Sequence, residues 1–167
     1  QIDIELAYNL HMKYHPYLKK IPENVFYSKR DKDLLFFSYE INLADILLSL
    51  NNPDNNFQRV SKNQLLNSIA NLKIFFPIIE NWEKSDSFHD KEVYNFRLKL
   101  NRTLAQLHKN SLIDQDIIAE KYLLKNVEIC RTHNLSDYTL SNNLMFLGRF
   151  YKTNLDDDQK VIEYLTE

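Results

Sequence analysis

The chain has 167 residues, of which 44% are hydrophobic, and its formal net charge is −2. This length is sufficient to bury a hydrophobic core, and the weak negative charge excludes a global basic field that would attract nucleic acid. One glycine and four prolines exclude a turn-rich sheet protein and predict an all-α fold, because strands and βα units need more turn residues.

The sequence also indicates a compartment. Its single cysteine, Cys130, excludes an internal disulfide and fits a reducing environment. We find no signal peptide and no apolar run of about 18 residues, and therefore expect a soluble, cytoplasmic protein without a membrane partner. The chain starts at Gln1 rather than Met and stops at Glu167 inside a helical pattern, which we interpret as a fragment, or the ordered part, of a longer protein.

The first predicted element is a short amphipathic helix from Ile4 to about Tyr14. It should end before Pro16, because the residue that precedes a proline is pushed out of the helical region. His11 and His15 are spaced i, i+4, which can place two imidazoles on one metal ion. No HExxH pattern and no nearby cysteine accompany them, so we predict no metal site.

The next element, from Asp31 or Asp33 to Leu50, is the most apolar part of the chain. Only a narrow polar stripe containing Glu40 and Asp45 interrupts it. A helix that is apolar nearly all round is a buried helix. It therefore either fills the centre of the domain or forms the interface of a homodimer.

A loop and a long helix follow. The residues from Asn51 to Asn56 form the clearest loop signal of the chain. We predict that the helix after it is kinked or restarted at Pro77 and that Trp82 anchors the core. The apolar residues of this helix recur at helical spacing: Leu65, Ile69, Leu72, Phe76 and Ile79.

The C-terminal half reads as further helices with short connections. Candidate N-terminal caps are Ser87 or Asp90 for the first, Asp114 for the second, and Ser136 or Asp137 for the third. In total we predict seven or eight helices, arranged as antiparallel hairpins.

Two of these helices resemble each other. In the later one, Leu140, Leu144, Leu147 and Tyr151 form an apolar stripe, which leaves Asn142, Asn143 and Arg149 on other faces. The only glycine, Gly148, lies inside this helix, where we expect a neighbouring helix to approach closely. Ala105, 43 residues earlier, occupies the matching position, with Leu104 matching Leu147 and His108 matching Tyr151.

This pattern resembles a tetratricopeptide-type repeat, whose first helix carries a Leu-(Gly/Ala)-x-x-Tyr core, here Leu147, Gly148 and Tyr151. Its second helix carries a small residue followed by aromatic and aliphatic residues. Ala119, Tyr122 and Leu123 fit that description. The resemblance implies a tetratricopeptide-like right-handed solenoid in a single helical-repeat domain, residues 1–167, with divergent helices in 1–84 and repeats in 85–167.

In such repeat proteins the first helices line a concave groove, and the resemblance implies which residues face it. The set is basic and rich in amides, which suits an extended peptide, because amides bond both N–H and C=O groups and cations pair with carboxylates. The predicted peptide-binding residues are Lys99, Arg102, Gln106, Lys109, Asn142, Met145, Arg149 and Lys152. The alternative is that these residues are only the solvated faces of helices.

The helices, rich in Asn, Lys, Ile and Tyr, are also similar to the C-terminal sensor domains of bacterial peptide-pheromone regulators of the RRNPP type. Such regulators join a DNA-binding helix-turn-helix domain to a repeat domain that dimerises and binds a signalling peptide. No helix-turn-helix signature occurs in this chain, so we expect no direct nucleic-acid contact from it. The alternative to a peptide sensor is a repeat scaffold that binds another protein.

The alternative from a different class is an enzyme. Arg102 and His108 form an Arg-x5-His pattern that resembles the active-site motif of HEPN-type ribonucleases, which cut RNA without a metal. His108 would act as acid or base and Arg102 would stabilise phosphate charge. However, we find no other catalytic constellation and no phosphate-binding loop. The predicted function is therefore a non-catalytic peptide- or protein-binding module without a cofactor.

Overall fold

The computed structural model describes residues 4–51, 60–84, 90–155 and 157–166. These residues contain α-helices, a short 3-10 turn at Glu23–Val25, a π-helical turn at Tyr151–Leu155, and no strand. The predicted all-α class is confirmed. The helices are α1 (Ile4–Leu18), α2 (Lys29–Leu50), α3 (Lys62–Lys73), α4 (Phe75–Glu83), α5 (Asp90–Lys109), α6 (Asp116–Thr132), α7 (Asp137–Phe150) and α8 (Asp158–Leu165).

Serine side chains cap the N-termini of several of these helices. Ser28 accepts a hydrogen bond from the backbone N–H of Asp31 at the start of α2. Ser61 and Gln64 form a reciprocal capping box at the start of α3, which satisfies backbone donors that lack intrahelical partners. The predicted cap Ser136 is confirmed for α7.

Two other predicted caps have different outcomes. Asp114 does not cap α6: its backbone adopts the left-handed conformation with φ of 55°, and the helix begins after Gln115 without a side-chain cap. Left-handed backbone is tolerated by Asp better than by most residues, so Asp114 turns the chain instead of capping the helix. Ser87 lies outside the described residues, and α5 begins at Asp90.

Both proline predictions need correction. Helix α1 continues through Pro16 to Leu18, because the proline removes one hydrogen bond near the helix end while His15, its neighbour, stacks on Tyr39 of α2. The long helix after the loop breaks at Ile74, not at Pro77. Pro77 then falls in the first turn of α4, where a missing N–H leaves no intrahelical bond unmade.

The chain divides into two compact units, residues 1–78 and 79–167, with the boundary inside α4. In the first unit α2 packs against α1 and α3. Phe37, Ile41 and Leu65 of this unit are almost completely buried, and the Phe37 ring meets Phe75 edge-on. Helix α2 thus supplies much of the core of its own unit. Glu40, in its narrow polar stripe, is also buried, with 5% of its surface exposed.

The second unit consists of helices that pack in chain order, α5 on α6, α6 on α7 and α7 on α8. The first pair is antiparallel, because Leu98 in the middle of α5 packs with Cys130 near the end of α6, while His108 near the end of α5 bonds Gln115 at the start of α6. Trp82 is buried with its ring edge-on to Phe96, so its predicted core role is confirmed.

The predicted apolar stripe of α7 does enter the core. Leu144, Leu147 and Tyr151 pack in one cluster with Ala105 and Ala119. Gly148 is buried on the same helix. The regular helix nevertheless ends at Phe150, and Tyr151 begins the π-helical turn that leads toward α8.

Candidate binding face of the second unit

None of the eight predicted peptide-binding residues is buried. Lys99, Lys109, Arg149 and Lys152 are exposed, whereas Arg102, Gln106, Asn142 and Met145 are half-buried. We call this set the basic face. Four of its members lie in α5 and three in α7, while Lys152 lies in the π-helical turn. There, its Nζ is 2.6 Å from a carboxylate oxygen of Asp158.

Arg102 connects the two halves of the basic face. Its guanidinium carbon lies 4.1 Å from the centroid of the Phe146 ring of α7, and its Nη2 donates to Oδ1 of Asn143 at 3.4 Å. These contacts place α5 beside α7 at this point. Arg102 therefore contacts α7 directly from α5.

The charge of Arg102 has little compensation. Its Nε is buried and has no hydrogen-bond partner among the described residues. Burial lowers the pKa of Arg102, and the Cys130 thiol beside it acts in the opposite direction. A guanidinium at neutral pH stays charged in any case. Arg102 is therefore a half-buried cation, and among the described residues its one side-chain hydrogen-bond acceptor is the neutral amide of Asn143.

Beneath Arg102 runs a chain of buried amides that the sequence did not reveal. Asn101 of α5 donates to Oδ1 of Asn126 at 2.9 Å. Asn126 of α6 donates to the Leu98 carbonyl at 2.9 Å and to Oδ1 of Asn143 at 3.2 Å. We call Asn101, Asn126 and Asn143 the amide ladder. It links three successive helices through buried side chains.

Asn143 was predicted to lie away from the core, but it is only 2% exposed. Its Nδ2 donates to the Thr139 carbonyl at 2.8 Å and approaches Sγ of Cys130 at 3.6 Å. Burial raises the pKa of the Cys130 thiol, while the Asn143 hydrogen bond and Arg102 partly oppose that effect. Cys130 therefore acts as a buried thiol within the packed helices.

His108, the proposed acid or base of the ribonuclease alternative, lies in the core. It is 3% exposed, its Nδ1 donates to Oε1 of Gln115 at 2.8 Å, and its ring stacks near Tyr122. The contacts of Arg102, in contrast, are with α7. The geometry gives His108 a packing environment rather than access to a phosphate.

At the other end of α7, Tyr151 anchors α8. Its hydroxyl donates to Oε1 of Glu120 at 2.6 Å, and its ring stacks on Tyr164. Lys160 lies over the same ring with its Nζ 3.5 Å from Glu120. Burial first, and then the hydrogen bond to Glu120, raise the pKa of Tyr151. The phenol is therefore a structural donor.

In the first unit the two histidines of α1 bind the neighbouring helix. Nε2 of His11 donates to the Tyr39 carbonyl at 3.0 Å, the Tyr39 hydroxyl donates back to the His11 carbonyl, and the two rings stack. His15 stacks on the same tyrosine. Among the described residues we find no group of three or more potential ligands that could hold a metal ion.

Comparison of the chain with protein-family models, with curated proteins and with solved structures gave no match. The resemblance to tetratricopeptide repeats and to pheromone sensors therefore stays a prediction. Across the part of the chain that the structure describes, no helix combines the length and the apolar character needed to cross a membrane.

Proposed function

We propose that the second unit is a non-catalytic binding module whose basic face takes an extended acidic segment of a peptide or protein. The observation that carries this proposal is Arg102. Its guanidinium is held against an aromatic ring, its Nε is buried, and no carboxylate among the described residues contacts it, which favours an anion supplied by a partner. A carboxylate can accept two parallel hydrogen bonds from a guanidinium.

The composition of the basic face supports the same ligand chemistry. It contains the cations Lys99, Arg102, Lys109, Arg149 and Lys152 and no acidic residue. Gln106 and Asn142, both half-buried, can donate to a peptide carbonyl and accept from a peptide N–H. The whole chain has a net charge of −2 and Lys152 pairs with Asp158, but the other four cations of the basic face would attract an acidic segment.

The contact between Arg102 and Phe146 also supports the repeat arrangement on which the groove depends. In a tetratricopeptide-like right-handed solenoid, the first helices of successive repeats lie side by side and line the concave surface. A cytoplasmic, dimeric peptide sensor in a bacterial transcriptional regulator is the setting that this proposal fits best. Its partner in that case is a short peptide.

A binding screen tests the proposal. A library of fluorescent acidic decapeptides and a second library with Asp and Glu replaced by Asn and Gln are titrated by anisotropy. We expect binding in the acidic library only. Arg102→Ala should weaken the selected peptide about thirty-fold or more, because truncating a hydrogen-bonded buried charge costs about 2 to 5 kcal/mol. Asn142→Ala should weaken it less, since a neutral hydrogen bond contributes about 0.5 to 1.5 kcal/mol.

The control variant is Lys121→Ala, which removes an exposed lysine of α6 outside the basic face. It should leave affinity unchanged, and circular dichroism should show all three variants folded. Equal weakening by Lys121→Ala would indicate nonspecific charge attraction and sink the proposal. Incubation with labelled RNA and a chelator tests the enzyme alternative. RNA cleavage by the wild-type protein that is abolished in a folded His108→Gln variant would contradict the non-catalytic assignment.

A further inference from the structure

The end of α1, the connection after it and the first turn of α2 differ in charge from the rest of the chain. Residues 13–32 contain six lysine or arginine residues and two acidic residues, which gives a net charge of +4 in a chain whose net charge is −2. Asp31, one of the two acids, accepts a hydrogen bond from the Ser28 hydroxyl. Four of the lysines are exposed, namely Lys13, Lys19, Lys20 and Lys29. This part of the first unit is therefore a local positive surface.

Large apolar side chains are exposed in the same segment. Tyr14 and Tyr17 are neighbours on α1, with their ring centroids 6.5 Å apart, and each exposes more than half of its surface. Nζ of Lys13 lies 5.7 Å from the centroid of the Tyr14 ring. In the connection, Val25 is 65% exposed and Tyr27 is fully exposed. A single exposed apolar residue is ordinary, but a group of them marks an interaction surface.

The backbone holds these side chains at one end of the pair of helices. Helix α1 ends at Leu18, and the chain turns there, with the N–H of Lys20 donating to the Tyr17 carbonyl. A 3-10 turn follows, and Ser28 caps the start of α2. Since α2 packs against α1, the short connection lies at one end of the pair. We call the following residues the turn surface: Tyr14, Tyr17, Lys19, Lys20, Val25, Tyr27 and Lys29.

A bilayer surface that contains anionic lipid matches both properties of the turn surface. Clusters of about four to eight Lys or Arg residues next to an amphipathic helix bind anionic lipid headgroups. Tyrosine is enriched where membrane meets water, because its ring is apolar and its hydroxyl is polar. A single-stranded nucleic acid would also use lysines and tyrosines, but it gives an exposed aliphatic side chain such as Val25 no role. The bilayer is therefore the partner that the composition favours.

An exposed carboxylate limits where the contact lies. Asp45 of α2 lines an open groove together with Leu10 and Tyr14 of α1, and an anionic surface repels a carboxylate. The contact is therefore expected at the end of α1 that leads into the connection, not along the whole helix. The expectation of a protein without a membrane partner rested on the lack of a spanning segment, which adsorption to a bilayer surface does not require.

We propose that the turn surface adsorbs reversibly to a bilayer that contains anionic phospholipid. Its lysines pair with the lipid headgroups, and Tyr17, Val25 and Tyr27 enter the interface. The observations that carry the proposal are the local charge of +4 in residues 13–32 and the exposed apolar side chains among those lysines. The site is independent of the basic face, because all its residues belong to the first unit, so the two proposals can fail separately.

Sedimentation of the full chain with vesicles tests the proposal. Vesicles of phosphatidylcholine alone are compared with vesicles in which about one third of the lipid is phosphatidylserine. We expect at least about ten-fold tighter binding to the mixed vesicles, and added salt should weaken it because exposed charges are screened. Soluble glycerophosphoserine, at the concentration of the phosphatidylserine, should not compete, since it offers the headgroup without an apolar interface.

Matched variants locate the contact. Lys19→Gln with Lys20→Gln should weaken binding to the mixed vesicles about twenty-fold to thirty-fold, since each lysine near the surface contributes about five-fold. Lys99→Gln with Lys109→Gln removes the same charge from exposed positions of the basic face and should leave vesicle binding unchanged. Tyr27→Ser should weaken binding at least about three-fold and leave its salt dependence as in wild type.

Circular dichroism checks that the variants fold, which we expect because every changed side chain is exposed. Should one variant not fold, the comparison of the two vesicle types with the wild-type protein still decides. The proposal is overturned by equal or absent binding to the two vesicle types, or by equal weakening in the two lysine pairs. Unchanged binding in Tyr27→Ser, or tighter binding of a uridine oligonucleotide than of the mixed vesicles, would also overturn it.

Discussion

Arg102 of α5 packs its guanidinium carbon 4.1 Å from the ring centroid of Phe146 of α7. This cation–π contact joins two helices that are separated in sequence by the whole of α6. It also explains how a positive side chain can stay half-buried where no described carboxylate contacts it, because the ring face supplies negative potential.

The first prediction concerns this contact. Arg102→Lys keeps the charge but loses the flat stacking surface, so the free energy of unfolding should fall by about 0.5 to 2 kcal/mol. Arg149→Lys changes an exposed arginine and should stay within about 0.5 kcal/mol of wild type. Urea denaturation measures both. Equal losses in the two variants would show that the contact with Phe146 adds no stability.

The second prediction concerns the amide ladder. Asn126→Ala removes two donated hydrogen bonds and one accepted one, and leaves the Asn101 amide buried without this partner. Because each hydrogen bond contributes about 0.5 to 1.5 kcal/mol and an unsatisfied buried group costs about 1 to 3 kcal/mol, we expect a loss of about 3 kcal/mol or more. Asn142→Ala, one position from the ladder but half-buried, should cost less than about 1 kcal/mol.

Guanidinium denaturation of single and double variants checks the ladder further. If Asn126 and Asn143 interact directly, the double variant Asn126→Ala with Asn143→Ala should lose less than the sum of the single losses. Strict additivity would mean that the two amides stabilise the fold independently. In that case the ladder would not function as a connected network.

Local signals in the sequence were sufficient for the helices but not for the contacts between them. Periodicity and caps identified α7 with its Ser136 cap and its apolar stripe. The amide ladder was missed because an asparagine on one helix carries no sign that a second asparagine faces it. From the sequence alone Asn143 is predicted to be a surface residue, and only the packing of α5 and α6 against α7 buries it.

The error at Pro16 also comes from a contact between helices. Local geometry disfavours a helix at His15, but the stacking of that residue on Tyr39 holds α1 in place beyond Pro16. The basic face stays a prediction: its members follow one register in two helices, and the structure shows only that none of them is buried.

The third prediction tests the crossing at Gly148. Gly148 is buried in α7, within a helix whose apolar residues pack with Ala105 and Ala119. Gly148→Leu should therefore lower the free energy of unfolding by about 1 to 3 kcal/mol through overpacking, and Gly148→Ala should be tolerated because helix propensity improves by about 1 kcal/mol. Thermal denaturation compares the two, and an unchanged melting temperature for Gly148→Leu would show that the position is open.

The fourth prediction concerns pH. Burial lowers the pKa of His11 below its ordinary value of 6.5, with the Tyr39 hydrogen bond and Glu40 opposing that shift. The unfolded chain therefore binds a proton first on acidification. The contribution of this histidine to stability is complete above the unfolded pKa and is lost as the pH falls toward the lower folded value.

His11→Gln removes this titration. The stability difference between wild type and variant should therefore decrease between about pH 7.5 and about pH 5.5, measured by urea denaturation at each pH. Titration of the neighbouring Tyr39 does not contribute in this pH range, because burial and Glu40 raise the pKa of Tyr39 to about 12. A difference that is constant with pH would show that His11 has the same affinity for protons in both states.

The most direct test of the binding function is a double-mutant cycle between Arg102 and a carboxylate of the selected peptide. Calorimetry would measure four affinities, combining wild-type protein or Arg102→Met with a peptide that carries either Asp or Asn at the contact position. If Arg102 is the anchor of the basic face, the two changes should be non-additive by about 1.5 kcal/mol or more. Additive losses for every acidic position of the peptide, or unchanged affinity in Arg102→Met, would contradict a binding site centred on Arg102.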